Sequence, residues 1–277
     1  MSPQTLALAL AGRCIGVTRA EDQAGAARLL FEQAGAEVID LPALVVTPPD
    51  DWGPLDDALA ELESFHWLLI SSSNGAQALE TRLRRLGRSL AHRPANLKIA
   101  AVGRKTAERL AELGAPADFV PPTFVADSLI EHFPSSAWGQ RLLIPRVQSG
   151  GRTVLAEAFA AAGARVVEVA AYETRCPNGL PSAAVAALAQ QRLDALTFSS
   201  AKTVRHTAAL LEGAFGSSWM ELLGPGGHRQ QPVALVSIGP QTSKACRELL
   251  GRVDAEATTF DLSGLVAACV SAISTDA

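Results

Sequence analysis

Four stretches of small and hydroxyl-bearing residues each follow a short apolar run. After "WLLI" come Ser71, Ser72, Ser73, Asn74 and Gly75; after "ALTF" come Ser199, Ser200, Ala201, Lys202 and Thr203. After "AAV" come Gly103, Arg104, Lys105 and Thr106; after "VSI" come Gly239, Pro240, Gln241 and Thr242. Hydroxyls, glycines and helix starts are what an anion-binding surface needs, because backbone amides can approach closely and donate. Any one of these loops is equally what ordinary N-capping produces. Four equivalent loops at strand ends favour a ligand site, and its candidate contacts are Ser71, Ser72, Asn74, Gly103, Thr106, Ser199, Ser200, Lys202, Gly239 and Thr242. Arg19 and Arg146 end matching strands, where they would either clamp carboxylates bidentately or form surface ion pairs. Tyr172, the only tyrosine, lies in "AAYET". A phenol there could donate a proton to a leaving oxygen, or could simply pack.

Several catalytic classes are missing. The chain has no GxSxG elbow, no HExxH and no lysine–serine pair of a phosphate-binding loop. Gly12 begins a strand instead of following one, so no dinucleotide fingerprint forms. The histidines His66, His92, His132, His206 and His228 share neither metal spacing nor a face, and read as surface or packing residues. Cys14, Cys176, Cys246 and Cys269 are scattered without a CxxC pair. No metal site is expected, and Cys14 and Cys246, in or beside apolar runs, read as buried reduced thiols.

The elements that must position these loops come in duplicate. "GRCIGVTR" (Gly12 to Arg19) resembles "GQRLLIPR" (Gly139 to Arg146), and "LLFEQAGAEVIDLPALVVT" resembles "EAFAAAGARVVEVAAYETR", with Gly35 on Gly163. "HWLLISSSNGAQAL" aligns with "LDALTFSSAKTVRHT", and "AAVGRKTAERLAELG" with "LVSIGPQTSKACRELLG". "TFVADSLIEHF" closes against "TFDLSGLVAAC". Blocks repeated in one order imply two similar units.

Each block reads as strand then helix. "RCIGVT", "AEVIDL", "WLLISS" and "KIAAVG" are short, rich in Val, Ile and Leu, and lack in–out alternation, as in strands covered on both faces. Between them apolar residues recur at helical spacing, as at Ala107, Leu110, Ala111 and Leu113. Thr106 suits that helix's start and Gly114 its C-terminal cap. The alternation predicts doubly wound α/β architecture. Pro42–Pro54 and Ala170–Pro181 occupy equivalent positions, pass from an extended run into a Pro-rich turn, and are the candidate crossings between domains. Leu222–Pro232, where the second half is longer, reads as a surface loop.

The chain has 277 residues, with 24 Lys+Arg against 28 Asp+Glu, a formal net charge of −4. Hydrophobic residues make up 48% and charged residues 19%, a composition that folds and excludes general disorder. Mild acidity argues against a nucleic-acid partner. "LALALAG" has no positive residue before Arg13 and is short for a signal segment, and no run approaches a membrane span. The expectation is a cytoplasmic protein with no membrane association, and with nothing in the pattern that demands a partner, a monomer.

Taken together, "LLISSSNGA", "AVGRKTAERLAELG", "LLIPR", "LAEAFAAAGARVVEVAAYET", "TFSSAKTV" and "SIGPQTSKACRELLG" resemble the uroporphyrinogen-III synthase family, over essentially the whole chain. The resemblance implies two parallel-sheet α/β domains, flavodoxin-like and doubly wound, joined by a two-stranded connection with the active site in the cleft between them. One domain would comprise residues 1–42 plus 176–277, the other residues 43–175. It also implies cofactor-independent cyclisation of the linear tetrapyrrole hydroxymethylbilane to uroporphyrinogen III, with inversion of the last ring through a spiro intermediate. Tyr172 takes the position of a family tyrosine proposed to assist hydroxyl departure. Thr106, Ser72, Ser200 and Thr242 match positions lining the cleft, whereas Ala201 and Lys202 replace the family's usual proline and serine. The competing expectation is a non-catalytic two-domain binding protein that closes on a carboxylated metabolite.

Overall fold

The computed structural model describes residues 8–123, 126–150, 153–226 and 231–274. In chain order the elements are β1 (Cys14–Val17), α1 (Glu21–Gln33), β2 (Glu37–Asp40), β3 (Val45–Thr47), α2 (Gly53–Ala60), β4 (Trp67–Ile70), α3 (Ser73–Arg85), β5 (Lys98–Ala101), α4 (Arg104–Glu112) and α5 (Ala126–Glu131). There follow β6 (Arg141–Val147), α6 (Val154–Ala161), β7 (Arg165–Arg175), α7 (Ser182–Ala189), β8 (Ala195–Phe198), α8 (Ala201–Phe215), β9 (Ala234–Ser237), α9 (Pro240–Leu250), β10 (Ala255–Glu256) and α10 (Leu262–Ser274). They form two compact units, Met1–Val45 with Arg175–Ala277, and Val46–Thr174. The chain therefore passes between units at Val45/Val46 and again at Thr174/Arg175.

The first unit is built on the sheet β2-β1-β8-β9-β10, parallel throughout. Numbered in their order along the chain, its strands stand 2-1-3-4-5, the doubly wound order that places the topological switch between β1 and β8. β1 and β8 are buried at every residue, which is why their sequences run apolar without alternation. One face packs Ile15, Val17, Ala195 and Val236 against α1 and α10. The other packs Cys14, Leu196, Phe198 and Leu235 against α7, α8 and α9. At the switch, two threonines lock the central strands reciprocally. Thr18 Oγ1 donates to Thr197 O at 2.8 Å and Thr197 Oγ1 donates to Gly16 O at 3.1 Å.

The second unit repeats the plan. Its sheet runs β5-β4-β6-β7-β3, and the pairs β5–β4, β4–β6 and β6–β7 are parallel. The same winding puts its switch between β4 and β6. Alternate residues of β4 serve opposite cores: Leu68 and Ile70 face α2, α3 and α4, whereas Trp67 and Leu69 face α5 and α6. The duplication is visible in backbone geometry as well. Gly35 and Gly163, aligned by sequence, follow α1 and α6 with φ of +91° and +86°. Both lie in the left-handed region that ends a helix without Cβ strain.

Two expectations are adjusted. α4 opens at Arg104 with Gly103 as its cap, so Thr106 is the third residue of its first turn and not the cap. Within Leu222–Pro232, expected as a loop, Leu222 and Leu223 end a 3-10 helix, Gly216–Leu223, and residues 227–230, with His228, lie outside the described residues.

Candidate functional site

In doubly wound sheets the ligand surface lies beyond the carboxyl ends of the strands, nearest the switch point. In the second unit that surface is built by the loop after β4, the loop after β6 and the neighbouring end of β7. Ser72, extended at φ −147° and ψ 151°, caps α3, its Oγ accepting from Gly75 N–H at 3.0 Å. The same Oγ lies 3.0 Å from the hydroxyl of Tyr172. Sequence separation hides this pair, which lies 100 residues apart. β7 brings them together: a register shift at Arg146/Val147 sets Val147 opposite Tyr172, and Gln148 N–H donates to Tyr172 O at 2.8 Å.

Tyr172 is 8% exposed. Burial pushes its phenol up from the ordinary value, the Ser72 hydrogen bond draws it down, and the Glu173 carboxylate pushes it up again; the net direction is upward. The phenol therefore keeps its proton at neutral pH, as a proton donor must. Glu173, buried on the same strand, accepts from Thr174 N–H at 2.6 Å and from the hydroxyl of Ser149. Neither Glu173 nor Ser149 stood among the expected site residues. The signal was present: Gln148-Ser149-Gly150 is another hydroxyl-bearing loop at a strand end, and the switch point singles it out once the topology is known.

The remaining expected residues of this unit are distributed around that surface. Ser71 is exposed and Asn74 half-buried at the first turn of α3. Gly103 caps α4, and Thr106, 4% exposed, turns inward beneath it. Arg146, a candidate clamp, is paired with Glu168 on the adjacent strand at 2.9 Å. It thus takes the ion-pair alternative with at least part of its guanidinium.

The first unit presents the matching surface. Ser199 and Ser200 are half-buried after β8, and Ser200 caps α8, accepting from Thr203 N–H at 3.1 Å. Gly239 caps α9, with Thr242 4% exposed one turn on. The α9 start is braced from below, where Ser237 and Ser243 hydroxyls meet at 2.6 Å and Ser243 donates to Glu256. Arg19 is half-buried after β1, and Lys202 half-buried on the first turn of α8. The charges of Lys202 and Arg205 both depress the proton affinity of His206, so this helix start carries a local positive field despite the acidic chain.

His206 does not merely fill space. Its Nδ1 donates to Ala43 O at 2.7 Å, and its own carbonyl accepts from the Cys176 thiol at 3.8 Å. It thus ties α8 to the chain just before the first passage between units and just after the second. Burial, the largest cause, holds its proton affinity below the ordinary value. The thiols are poor nucleophiles: burial pushes Cys14 up to about 11, and Cys246 and Cys269 up to about 12. Among the described residues no group of three or more His, Cys, Asp and Glu could hold a metal ion, and no helix is long and apolar enough to cross a membrane.

A model of the family HEM4, uroporphyrinogen-III synthase HemD, matches residues 26–267. The chain is 45% identical to the uroporphyrinogen-III synthase of Synechococcus elongatus over 259 residues, covering 94% of this chain and 95% of that protein. The solved uroporphyrinogen-III synthetase of Helicobacter pylori 26695 superposes with a TM-score of 0.57 at 15% identity, covering 94% of this chain and 99% of that one. A mutant uroporphyrinogen III synthase from the extremely thermophilic bacterium Thermus thermophilus gives 0.55 at 21% identity, covering 95% and 100%. At such identities the two solved structures attest the fold alone. The family match and the cyanobacterial relative, each spanning most of the chain, go further: this chain belongs to the uroporphyrinogen-III synthase family.

Proposed function

We infer that the protein is a uroporphyrinogen-III synthase, a cyclising lyase of tetrapyrrole biosynthesis that converts hydroxymethylbilane to uroporphyrinogen III. The observation that carries the reading at the level of the site is the buried, protonated phenol of Tyr172, held by Ser72 at the switch-point end of the second sheet. Family membership supports it over a non-catalytic binding protein, which the same fold would also serve.

The chemistry suits these groups. Tyr172 gives its proton to the departing hydroxyl of the substrate's hydroxymethyl group; the carbon–oxygen bond breaks, water leaves, and a cationic azafulvene remains. That cation needs no further activation, so the protein's task is to decide which carbon attacks it. Uncatalysed closure gives the uninverted isomer. Attack at the substituted carbon forms the spiro intermediate and inverts the last ring, and orientation can supply about 7–11 kcal/mol of barrier reduction. Groups suited to binding the substrate's eight carboxylates are helix-start amides and hydroxyls, Ser71, Asn74, Gly103 and Thr106 within the second unit and Ser199, Ser200, Gly239 and Thr242 within the first, with Arg19, Arg146 and Lys202 as charged candidates. The protein acts as a monomer in the cytoplasm and engages no nucleic acid, in keeping with its acidity and unpaired thiols.

Incubation with hydroxymethylbilane, oxidation and separation of the isomers tests the reading. Uroporphyrinogen III is the expected product. The uninverted isomer alone, as without protein, overturns it.

A further inference from the structure

The two halves part company at one position. Ser200 caps α8 in a closed capping box: its Oγ accepts from Thr203 N–H at 3.1 Å, and Thr203 Oγ1 accepts from Ser200 N–H at 3.2 Å. Ser72 caps α3 with the same extended backbone and the same acceptance, from Gly75 N–H. Here the third helical residue is Gly75, which has no side chain with which to close the box. The tyrosine ring lies beside that open position. A Cβ built on Gly75 would stand 3.7 Å from Tyr172 Cε1 and 3.2 Å from Ser72 Oγ. The opened box leaves the Ser72 hydroxyl 3.0 Å from the phenol.

Resting on the reading of Tyr172 as proton donor, we propose that Ser72 is its positioning residue. The Ser72 hydroxyl donates to the phenol oxygen, so that the phenol's own proton stays directed at the substrate's leaving oxygen, and Gly75, with no side chain to close the capping box, leaves the hydroxyl open to it. A serine hydroxyl has one proton and two lone pairs. The Gly75 amide occupies one lone pair, which fixes the oxygen in space, and the proton is then free to serve Tyr172. Donation to the phenol oxygen stabilises the phenolate as its proton departs. It opposes both burial and the charge of Glu173. Ser72 thus acts through Tyr172, whereas Ser200, whose box is closed, has no such part.

Tyr172 is the sole tyrosine in 277 residues, so the ultraviolet change on alkaline titration reads its phenol directly, without reference to activity. Ser72→Ala is expected to move the midpoint upward. Ser72→Gly, a well-tolerated cap, is expected to do the same with the helix start preserved. Ser72→Thr keeps the hydroxyl and should restore the midpoint, and Ser200→Ala, which removes the equivalent cap, should leave it in place. In turnover, Ser72→Gly should lower kcat about tenfold, the worth of one hydrogen bond, with KM little changed. An unmoved midpoint in Ser72→Gly, or an equal shift in Ser200→Ala, overturns the proposal, because the hydroxyl would then be only a cap. Full activity in Tyr172→Phe overturns the underlying reading instead, and is distinguishable because the titration reports the Ser72 contact independently.

Discussion

The ring of Tyr172 passes 3.7 Å from the point where a side chain on Gly75 would begin. A threonine there would recreate the closed cap of Ser200 and Thr203, and the phenol and the new side chain would compete for one space. Gly75→Thr gains helix propensity but crowds a buried ring, so the urea midpoint should fall. Activity should fall about 10–100-fold through displacement of the ring. An active Gly75→Thr enzyme would show that the ring has room to spare.

Tyr172→Phe removes one hydroxyl and little else. The ring belongs to the second unit's hydrophobic core, and its packing there is retained. The lost hydrogen bond should cost about 1 kcal/mol of stability. Turnover should fall about 10²-fold, the lower range for a positioned acid. Steady-state kinetics beside thermal unfolding checks both, and an unchanged kcat would exclude the phenol from the chemistry.

His206 makes stability depend on pH in a defined direction. Burial lowers its folded proton affinity below the unfolded value, so the unfolded chain binds more protons. Stability attributable to His206 is thus complete at pH above the ordinary histidine range and declines as pH falls through that range towards the folded value. His206→Asn should flatten the fall in Tm between about pH 7.5 and 5.5, a window spanning the ordinary histidine value. Parallel curves for the two proteins would assign the pH dependence elsewhere.

Glu80, 1% exposed, accepts from Arg84 Nε at 2.7 Å, Ser89 Oγ at 3.0 Å and Leu90 N–H at 2.8 Å. Burial alone would raise its carboxyl, yet those donors together hold it below the ordinary glutamate range. Glu80→Ala strands the buried Leu90 amide and should cost about 2–4 kcal/mol, read as a lower urea midpoint. A loss under about 0.5 kcal/mol, the scale of an ordinary surface substitution, would mean the turn re-pairs with water.

The sheets were legible because burial on both faces writes itself into sequence. Trp67–Ile70 and Ala195–Phe198 have no polar-facing positions, and their duplicated surroundings announce a shared plan. The hydroxyl loops were legible as a class, since each helix start needs a cap. What each hydroxyl touches was not. Ser72 and Ser200 read alike, and only the pairing of β6 with β7, with its shift at Arg146/Val147, brings a phenol to one of them. Arg146 left two alternatives open until Glu168 appeared on the adjacent strand. His206, an unremarkable helical histidine by sequence, gains meaning only because Ala43 and Cys176 converge on α8 from remote parts of the chain. Such partners are matters of tertiary register, to which local patterns are blind.

The first unit joins the two ends of the chain. Its central strands pair Ile15 with Ala195, and Thr18 reaches Thr197 across 179 residues, with the whole of the second unit, Val46–Thr174, intervening. During synthesis the inserted unit is complete while β1, α1 and β2 still lack the strands that cover them. Long-range pairing is slow, and units fold in the order in which they become complete. The nascent protein is expected to acquire its second unit first, leaving Ile15 and Val17 without their full cover until α10 (Leu262–Ser274) has been made. Strand β1 is thus made well before the strands and helices that cover it, and that waiting interval is when the chain most depends on chaperones.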